Sequence, residues 1–221
     1  MKNIALIGST GSIGRQAIAV AARYPENFRI VAMAANASEV PFAEQMRAVR
    51  PDFAALRAEG EAFSAGGVRC GRGEAAFEEA CAYDGADVVL VAVSGFAGLK
   101  ATLLALAAGK DVALANKESL VAGGDLVLAE AARTGAHILP VDSEHSAIWQ
   151  CLHFDRAAPF RKILLTASGG ALRDVPLEEL EAVTPARALA HPNWNMGAKI
   201  TVDCATMLNK GFEVIEAMHL Y

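Results

Sequence analysis

Short apolar blocks alternate along the chain with segments of helical period, and this alternation sets the fold class. Residues 2–8 read as an apolar strand, a glycine-rich turn follows, and residues 13–23 carry apolar positions at helical spacing. The pattern then predicts a strand at 28–33, a helix at 42–49 and a strand at 52–56. Residues 65–73 are punctuated by glycines and read as a loop or a weak strand, with a helix at 75–81. The clearest strand is 87–93, which holds six consecutive apolar residues, mostly β-branched, as suits burial on both faces. A helix at 99–108 stopped by Gly109, a strand at 110–115, a helix at 125–133 and a strand at 137–141 complete the series. Strands and helices in strict alternation call for a parallel sheet covered by helices on both faces.

The rhythm changes after about residue 152. Residues 162–166 are strand-like and run into Ser168-Gly169-Gly170, and Pro176, Pro185 and Pro192 then break the chain into short pieces. An amphipathic helix is predicted at 206–220. The expected organisation is an α/β domain at 1–150, a doubly wound parallel sheet, followed by an incomplete α+β domain at 151–221.

Composition narrows the function classes. Among 221 residues, 53% are hydrophobic and 20% charged, which excludes a disordered chain. Lys and Arg number 20 against 25 Asp and Glu, a net charge of −5 with no basic footprint for nucleic acid. No apolar run approaches the ~18 residues of a membrane span, and no signal-peptide pattern opens the chain, so the expectation is a cytoplasmic protein. The four cysteines form no C-x-x-C pair. Cys70, Cys81 and Cys151 are expected as small buried hydrophobes, whereas Cys204 lies in a stretch with candidate chemistry.

The turn Gly8-Ser9-Thr10-Gly11-Ser12-Ile13-Gly14 joins the first strand to the first helix. Its G-x-x-G-x-x-G spacing lets the backbone approach a pyrophosphate, which the helix N-terminus favours electrostatically. The second strand runs into Asn36-Ala37-Ser38, with no acid before Glu39 and no base nearby. The missing acid disfavours strict NAD use, and the missing base leaves a 2′-phosphate to Asn36, Ser38 and backbone donors. Further along, Asp142 and Glu144 follow a strand end and share a side in extended backbone, so they can converge on Mg²⁺ or Mn²⁺, with Glu213 downstream as a third carboxylate. The competing reading is an N-cap by Asp142 or Ser143. Asn116-Lys117-Glu118 also follows a strand end, either as a solvated helix start or as a cation with cofactor-orienting neighbours. His191-Pro192-Asn193-Trp194 opens a loop in which Trp194 is either a core anchor or a lid.

Five segments together resemble the 1-deoxy-D-xylulose 5-phosphate reductoisomerase family: the glycine turn, Ala115 to Leu120, Leu139 to His145, Thr166 to Gly170, and His191 through Glu213. They stand in the family's order across almost the whole chain. The resemblance implies a Rossmann-like first domain and an NADPH- and metal-dependent rearrangement and reduction of a sugar phosphate, early in non-mevalonate isoprenoid synthesis. It also implies a homodimer for the complete enzyme, with no nucleic-acid or membrane partner. By this resemblance Asp142, Glu144 and Glu213 hold Mg²⁺ or Mn²⁺, and Lys117, Ser143 and Glu144 contact substrate. Ser168, Cys204, Asn209 and Lys210 grip its phosphate, with His191 on the closing loop. Thr10, Gly11, Ser12, Ile13, Asn36, Ala37, Ser38, Asn116, Glu118 and Gly197 fall to NADPH.

Three departures stand out. No base occurs near Ala37, Cys204 replaces a serine, and the chain stops at Tyr221, where family members continue, so a truncated piece is expected. Two alternatives compete: a semialdehyde or homoserine dehydrogenase, which would not need the three acids, and a truncated, non-catalytic NADP-binding module.

Overall fold

The first strand to be synthesised lies at the centre of the sheet. In the computed structural model, which describes residues 1–155 and 157–221, β1 (Lys2–Ile7) has β2 (Phe28–Ala35) on one side and β5 (Val88–Val91) on the other. Beyond β2 lie β3 (Phe53–Leu56) and β4 (Arg69–Arg72); beyond β5 lie β6 (Asp111–Leu114) and β7 (Ile138–Pro140). Among the described residues the order is β4-β3-β2-β1-β5-β6-β7, and every pairing is parallel. All strand ends that follow the chain direction therefore fall on one edge. The winding reverses between β1 and β5, the crevice where open α/β sheets bind ligands.

The connecting helices are α1 (Ser12–Arg23), α2 (Glu39–Val49), α3 (Glu74–Cys81), α4 (Ala97–Ala107) and α5 (Lys117–Thr134). Helix α2 starts three residues before the expected 42 because Pro41 sits in the first turn, where no N–H is required. Helix α5 starts at Lys117 rather than 125: Gly123 leaves helical geometry and kinks it, which hid the first two turns from the periodicity. The glycine-punctuated segment before α3 supplies the edge strand β4. Leu6, Met33, Phe42, Met46 and Leu56 are fully buried in one core cluster. Each such side chain contributes about 1.5–3 kcal/mol.

The chain divides into two units, Met1–Asp142 and Ser143–Tyr221. The second contains α6 (Ser143–Cys151), a 3-10 turn at Leu177–Ala182, α7 (Pro185–Ala188), α8 (Ala198–Ala205) and α9 (Leu208–Leu220). Two expectations are corrected here. Residues 162–166 are not a strand, because no described strand of this unit offers them a ladder. The predicted helix 206–220 is the end of one helix and the whole of another: Thr206 Oγ1 donates back to the Val202 carbonyl, and Met207 turns left-handed at φ 61°.

Helix α9 buries Asn209, Glu213, Glu216 and Leu220, while Leu208, Val214, Ile215 and Met218 are exposed. Its buried stripe is mostly polar and its exposed face mostly apolar, the reverse of an ordinary surface helix. Buried acids are costly unless partnered, so this stripe directs attention to what they touch. No described helix is long and apolar enough to cross a membrane.

The cysteines differ more than expected. Cys81 is buried, Cys70 and Cys204 are half-buried, and Cys151 is exposed, against its expectation as a buried hydrophobe. Burial pushes the Cys81 thiol up to about 12 and raises that of Cys70. A thiol reagent at pH 8 is therefore expected to modify Cys151 first and Cys81 only after unfolding, as mass mapping of the labelled peptides would record.

Candidate functional site

The glycine turn crosses the crevice between β1 and β5. Gly8 and Ser9 donate their N–H groups to the Ala34 carbonyl at the end of β2, at 2.8 and 3.1 Å. Gly8 has φ +95°, and a Cβ there would lie 2.6 Å from the Ala92 carbonyl oxygen just past β5. A Cβ on Gly14 would lie 2.3 Å from the Gly8 oxygen and 2.5 Å from the Ser9 oxygen. The first glycine thus permits the turn and the last permits α1 to close against it. Gly11 caps α1 without a side-chain bond, so the first N–H groups of the helix are left for a ligand. Thr10 is half-buried beside them, and Gly11, Ser12 and Ile13 are exposed. Ser9 is fully buried, and its Oγ has no hydrogen-bond partner among the described residues. A backbone cradle with free donors and an unsatisfied hydroxyl fits a pyrophosphate.

At the end of β2, Asn36, Ala37 and Ser38 are all exposed. The structure brings a base to this loop that the sequence did not reveal: Arg72, at the end of β4, donates to Glu39 Oε2 at 2.8 Å. Only the pairing of β3 with β4 reveals the approach, because the two residues are 33 apart in sequence.

Asn116 caps α5. Its Oδ1 accepts from Ser119 N at 2.9 Å, and its Nδ2 donates to the carbonyls of Val93 and Gly95 and to Glu118 Oε2, all within 3.0 Å. The side chain is consumed in holding the loop after β5, so what this turn offers a cofactor is its backbone. Lys117 is buried, not solvated, and its Nζ lies 2.5 Å from Asp142 Oδ2. The Lys117 ammonium is thereby fixed against Asp142, just past the end of β7.

In the second unit, α6 and α9 bring together Glu144, Lys210, Glu213 and Asn209. Lys210 Nζ donates to Glu144 Oε1 at 2.9 Å and to Glu213 Oε2, while Asn209 Nδ2 donates to Glu213 Oε1 at 2.5 Å. Ser143 Oγ donates to Glu144 Oε2 at 2.5 Å. Burial works against the charge on Glu144, but the Ser143 hydroxyl and the Lys210 ammonium outweigh it and hold the acid below its ordinary range. Burial likewise opposes the charge on Lys210, and the two carboxylates overcome it and raise the ammonium above its usual value. Carboxylate oxygens of Glu144 and Glu213 lie within 4.8 Å of one another. Two acids converging on one shared cation, with hard oxygen donors only, suit Mg²⁺ or Mn²⁺.

Beside them is a cleft of about 30 Å³ whose lining includes Glu144, Ser168, Gly169, Cys204, Asn209 and Lys210. Ser168 Oγ lies 3.1 Å from His191 Nε2 and accepts from Gly170 N at 3.2 Å. His191 Nδ1 accepts the N–H groups of Asn193 and Trp194 at 3.2 and 3.0 Å. With Nδ1 an acceptor, the neutral ring carries its proton on Nε2 and donates to Ser168. The Ser168 hydroxyl proton is then free to point into the cleft, as an anion requires. Trp194 is exposed and anchors no core, and Gly197 is the exposed cap of α8.

A buried pair that the sequence analysis passed over lies one residue beyond Glu144 and one turn beyond Glu213. His145 Nε2 is 2.9 Å from Glu216 Oε2, with both side chains at most 1% exposed, and Tyr221 Oη donates to the His145 carbonyl at 2.6 Å. The pair fastens α6 to α9. The signal available was a second acid, Glu216, at i+3 from Glu213 on the same helix face.

The chain matches the 1-deoxy-D-xylulose 5-phosphate reductoisomerase family over residues 4–124 and that family's C-terminal domain over 138–221. It is 52% identical to the 1-deoxy-D-xylulose 5-phosphate reductoisomerase of Pelotomaculum thermopropionicum, covering 100% of this chain and 59% of that protein. Identity to the Thermomicrobium roseum protein of the same name is 50%, over 99% of this chain and 57% of that one. Among solved structures, the Zymomonas mobilis enzyme in complex with NADPH superposes with a TM-score of 0.88 at 41% identity, covering 99% of this chain and 58% of that one. A DOX-P reductoisomerase in complex with NADPH, fosmidomycin and magnesium gives 0.90 at 36% identity, over 100% of this chain and 58% of that one. The chain thus spans somewhat under three fifths of these relatives' length.

Proposed function

From the premise that the chain belongs to the 1-deoxy-D-xylulose 5-phosphate reductoisomerase family, we propose that it carries the cofactor, metal and substrate residues for the NADPH- and divalent-metal-dependent conversion of 1-deoxy-D-xylulose 5-phosphate to 2-C-methyl-D-erythritol 4-phosphate. Residues 1–150 are assigned to NADPH binding and 151–221 to part of the metal- and substrate-binding domain. The observation that carries the reading is the convergence of Glu144 and Glu213 on one cation beside a cleft lined by Ser168, Asn209 and Lys210.

Asp142, Glu144 and Glu213 are assigned to Mg²⁺ or Mn²⁺. When bound, the metal polarises the substrate's carbonyl and hydroxyl oxygens, and NADPH supplies the hydride. Lys117, paired with Asp142, offers a proton-bearing cation to a substrate oxygen. Ser143 orients Glu144 through its short hydrogen bond. Ser168 presents a hydroxyl proton to the phosphate, aligned by the His191 Nε2–H, while Asn209 and Lys210 complete the grip. Cys204 lines the same cleft as a weaker donor than serine, which lowers phosphate affinity. The exposed Trp194 and the His191 loop are assigned to covering the substrate and excluding water. The turn residues Thr10, Gly11, Ser12 and Ile13 take the pyrophosphate, and Asn36, Ala37, Ser38, Asn116, Glu118 and Gly197 frame the rest of the cofactor. The reading includes a cytoplasmic location and a homodimer for the complete enzyme.

The test is a titration of the 221-residue chain with NADPH, followed by 1-deoxy-D-xylulose 5-phosphate with and without Mn²⁺, reading NADPH absorbance. Metal-dependent NADPH consumption supports the reading in full. NADPH binding without consumption favours a non-catalytic NADP-binding module, and no binding at all refutes the cofactor assignment.

A further inference from the structure

The loop after β2 receives the adenosine end of a dinucleotide in this fold, and the residues there decide whether a 2′-phosphate is welcome. In this chain Asn36, Ala37 and Ser38 carry no charge. Because β2, β3 and β4 are parallel, with Ala35 opposite Leu56 and Leu56 opposite Arg72, β4 ends on the same edge as β2. From there the Arg72 side chain reaches back to the loop. Its Nη2 donates to Glu39 Oε2 at 2.8 Å and its Nη1 to the Ala58 carbonyl at 3.4 Å, while Ala58 N donates to the Asn36 carbonyl at 2.9 Å.

The guanidinium is 5.2 Å from the centre of the Phe63 ring. Its side chain is only 13% exposed, and its Nε has no hydrogen-bond partner among the described residues. This arginine is therefore held in place, incompletely satisfied, and paired with a carboxylate that is itself 55% exposed. Arg57, just past β3 on the same edge, is committed: it grips both oxygens of Glu74 at 2.7 and 3.1 Å.

We propose that Arg72 supplies the cation for the 2′-phosphate of NADPH, exchanging its Glu39 partner for the phosphate. The assignment rests on the NADPH reading above and adds the residue that sets cofactor choice. A guanidinium matches phosphate geometry with two parallel donors, and its ring support removes much of the cost of ordering it. Glu39 then acts as a competitor: it neutralises the arginine while the site is empty and discriminates weakly against the phosphate when it fills.

The experiment is direct binding to the full 221-residue chain, by fluorescence titration with NADPH and NADH and by calorimetry with 2′,5′-ADP. Arg72→Gln is expected to weaken NADPH and 2′,5′-ADP about 10- to 100-fold while leaving NADH within about twofold. Glu39→Gln, an exposed change, is expected to tighten NADPH several-fold. Adding Ala37→Arg to Arg72→Gln should restore most of the lost preference. Equal weakening of both cofactors in Arg72→Gln, or no change in either, overturns the assignment while the NADPH reading stands. If the unmodified chain binds neither nucleotide, the NADPH reading fails first and this assignment fails with it.

Discussion

Gly14→Ala is expected to raise the dissociation constant for NADPH at least about 100-fold, equivalent to roughly 2.7 kcal/mol. The new Cβ would fall 2.3 Å from the Gly8 carbonyl oxygen and 2.5 Å from that of Ser9, far inside van der Waals contact. Both are backbone atoms, so no side chain can rotate away, and Gly14 is buried. Either α1 shifts along its axis or the turn deforms, and the free N–H groups that α1 presents move with it. Overpacking of this kind costs about 1–3 kcal/mol in stability as well. A lower melting temperature with a retained cooperative transition, together with the lost NADPH fluorescence change, is the expected pair of results. Unaltered NADPH affinity in a folded Gly14→Ala chain would show that the turn does not bind the pyrophosphate.

Glu213→Gln is expected to weaken Mn²⁺ binding on the order of a hundredfold, because affinity for a hard cation depends on the number of carboxylate charges in the set. NADPH affinity should stay within about twofold. Glu213 is 1% exposed and its two oxygens are held by Asn209 and Lys210, so the substitution removes charge from a fixed position. Glutamine keeps the shape and one acceptor. Counting free Mn²⁺ by electron paramagnetic resonance separates the effect from turnover. Lys210 sharpens the contrast: an ammonium already spans the two acids, so an arriving metal must displace it. If Glu213→Gln titrates like the parent chain, the assignment of this carboxylate to the metal is wrong.

The parallel sheet was legible because its central strands are buried on both faces and so appear as unbroken apolar runs. Val88 to Val91 needs no structure to be recognised. The glycine turn was legible for a related reason, since close backbone approach leaves only one residue type possible at Gly8 and Gly14. What escaped was set by tertiary context. Arg72 stands between two glycines in a segment with no periodicity, and its reach to Glu39 depends on a strand pairing invisible in sequence.

The break at Met207 escaped because a methionine in left-handed geometry carries no mark, unlike the glycine expected there. Helix α9 was recognisable as amphipathic, but which face it buries was not. Leu208, Val214, Ile215 and Met218 are exposed, and the structure buries Asn209, Glu213 and Glu216. Side chains from two helices show why: Lys210 ties Glu213 to Glu144 of α6, and His145 of α6 lies against Glu216, contacts that no local pattern encodes.

The central placement of β1 also governs how the chain acquires its structure during synthesis. One edge of β1 is satisfied early, by β2, but the other waits for β5, as the bond from Asn3 N to Asp87 Oδ2 spans 84 positions. A nascent chain that has reached only β4 therefore holds half a sheet with β1 at the border, its Ala5, Leu6 and Ile7 not yet covered as they are in the finished fold. Long-range parallel closures of this kind are slow, and open apolar edges recruit other chains. Chains ending between residues 72 and 88 are therefore expected to aggregate more readily than the 221-residue chain, as light scattering of the two would record.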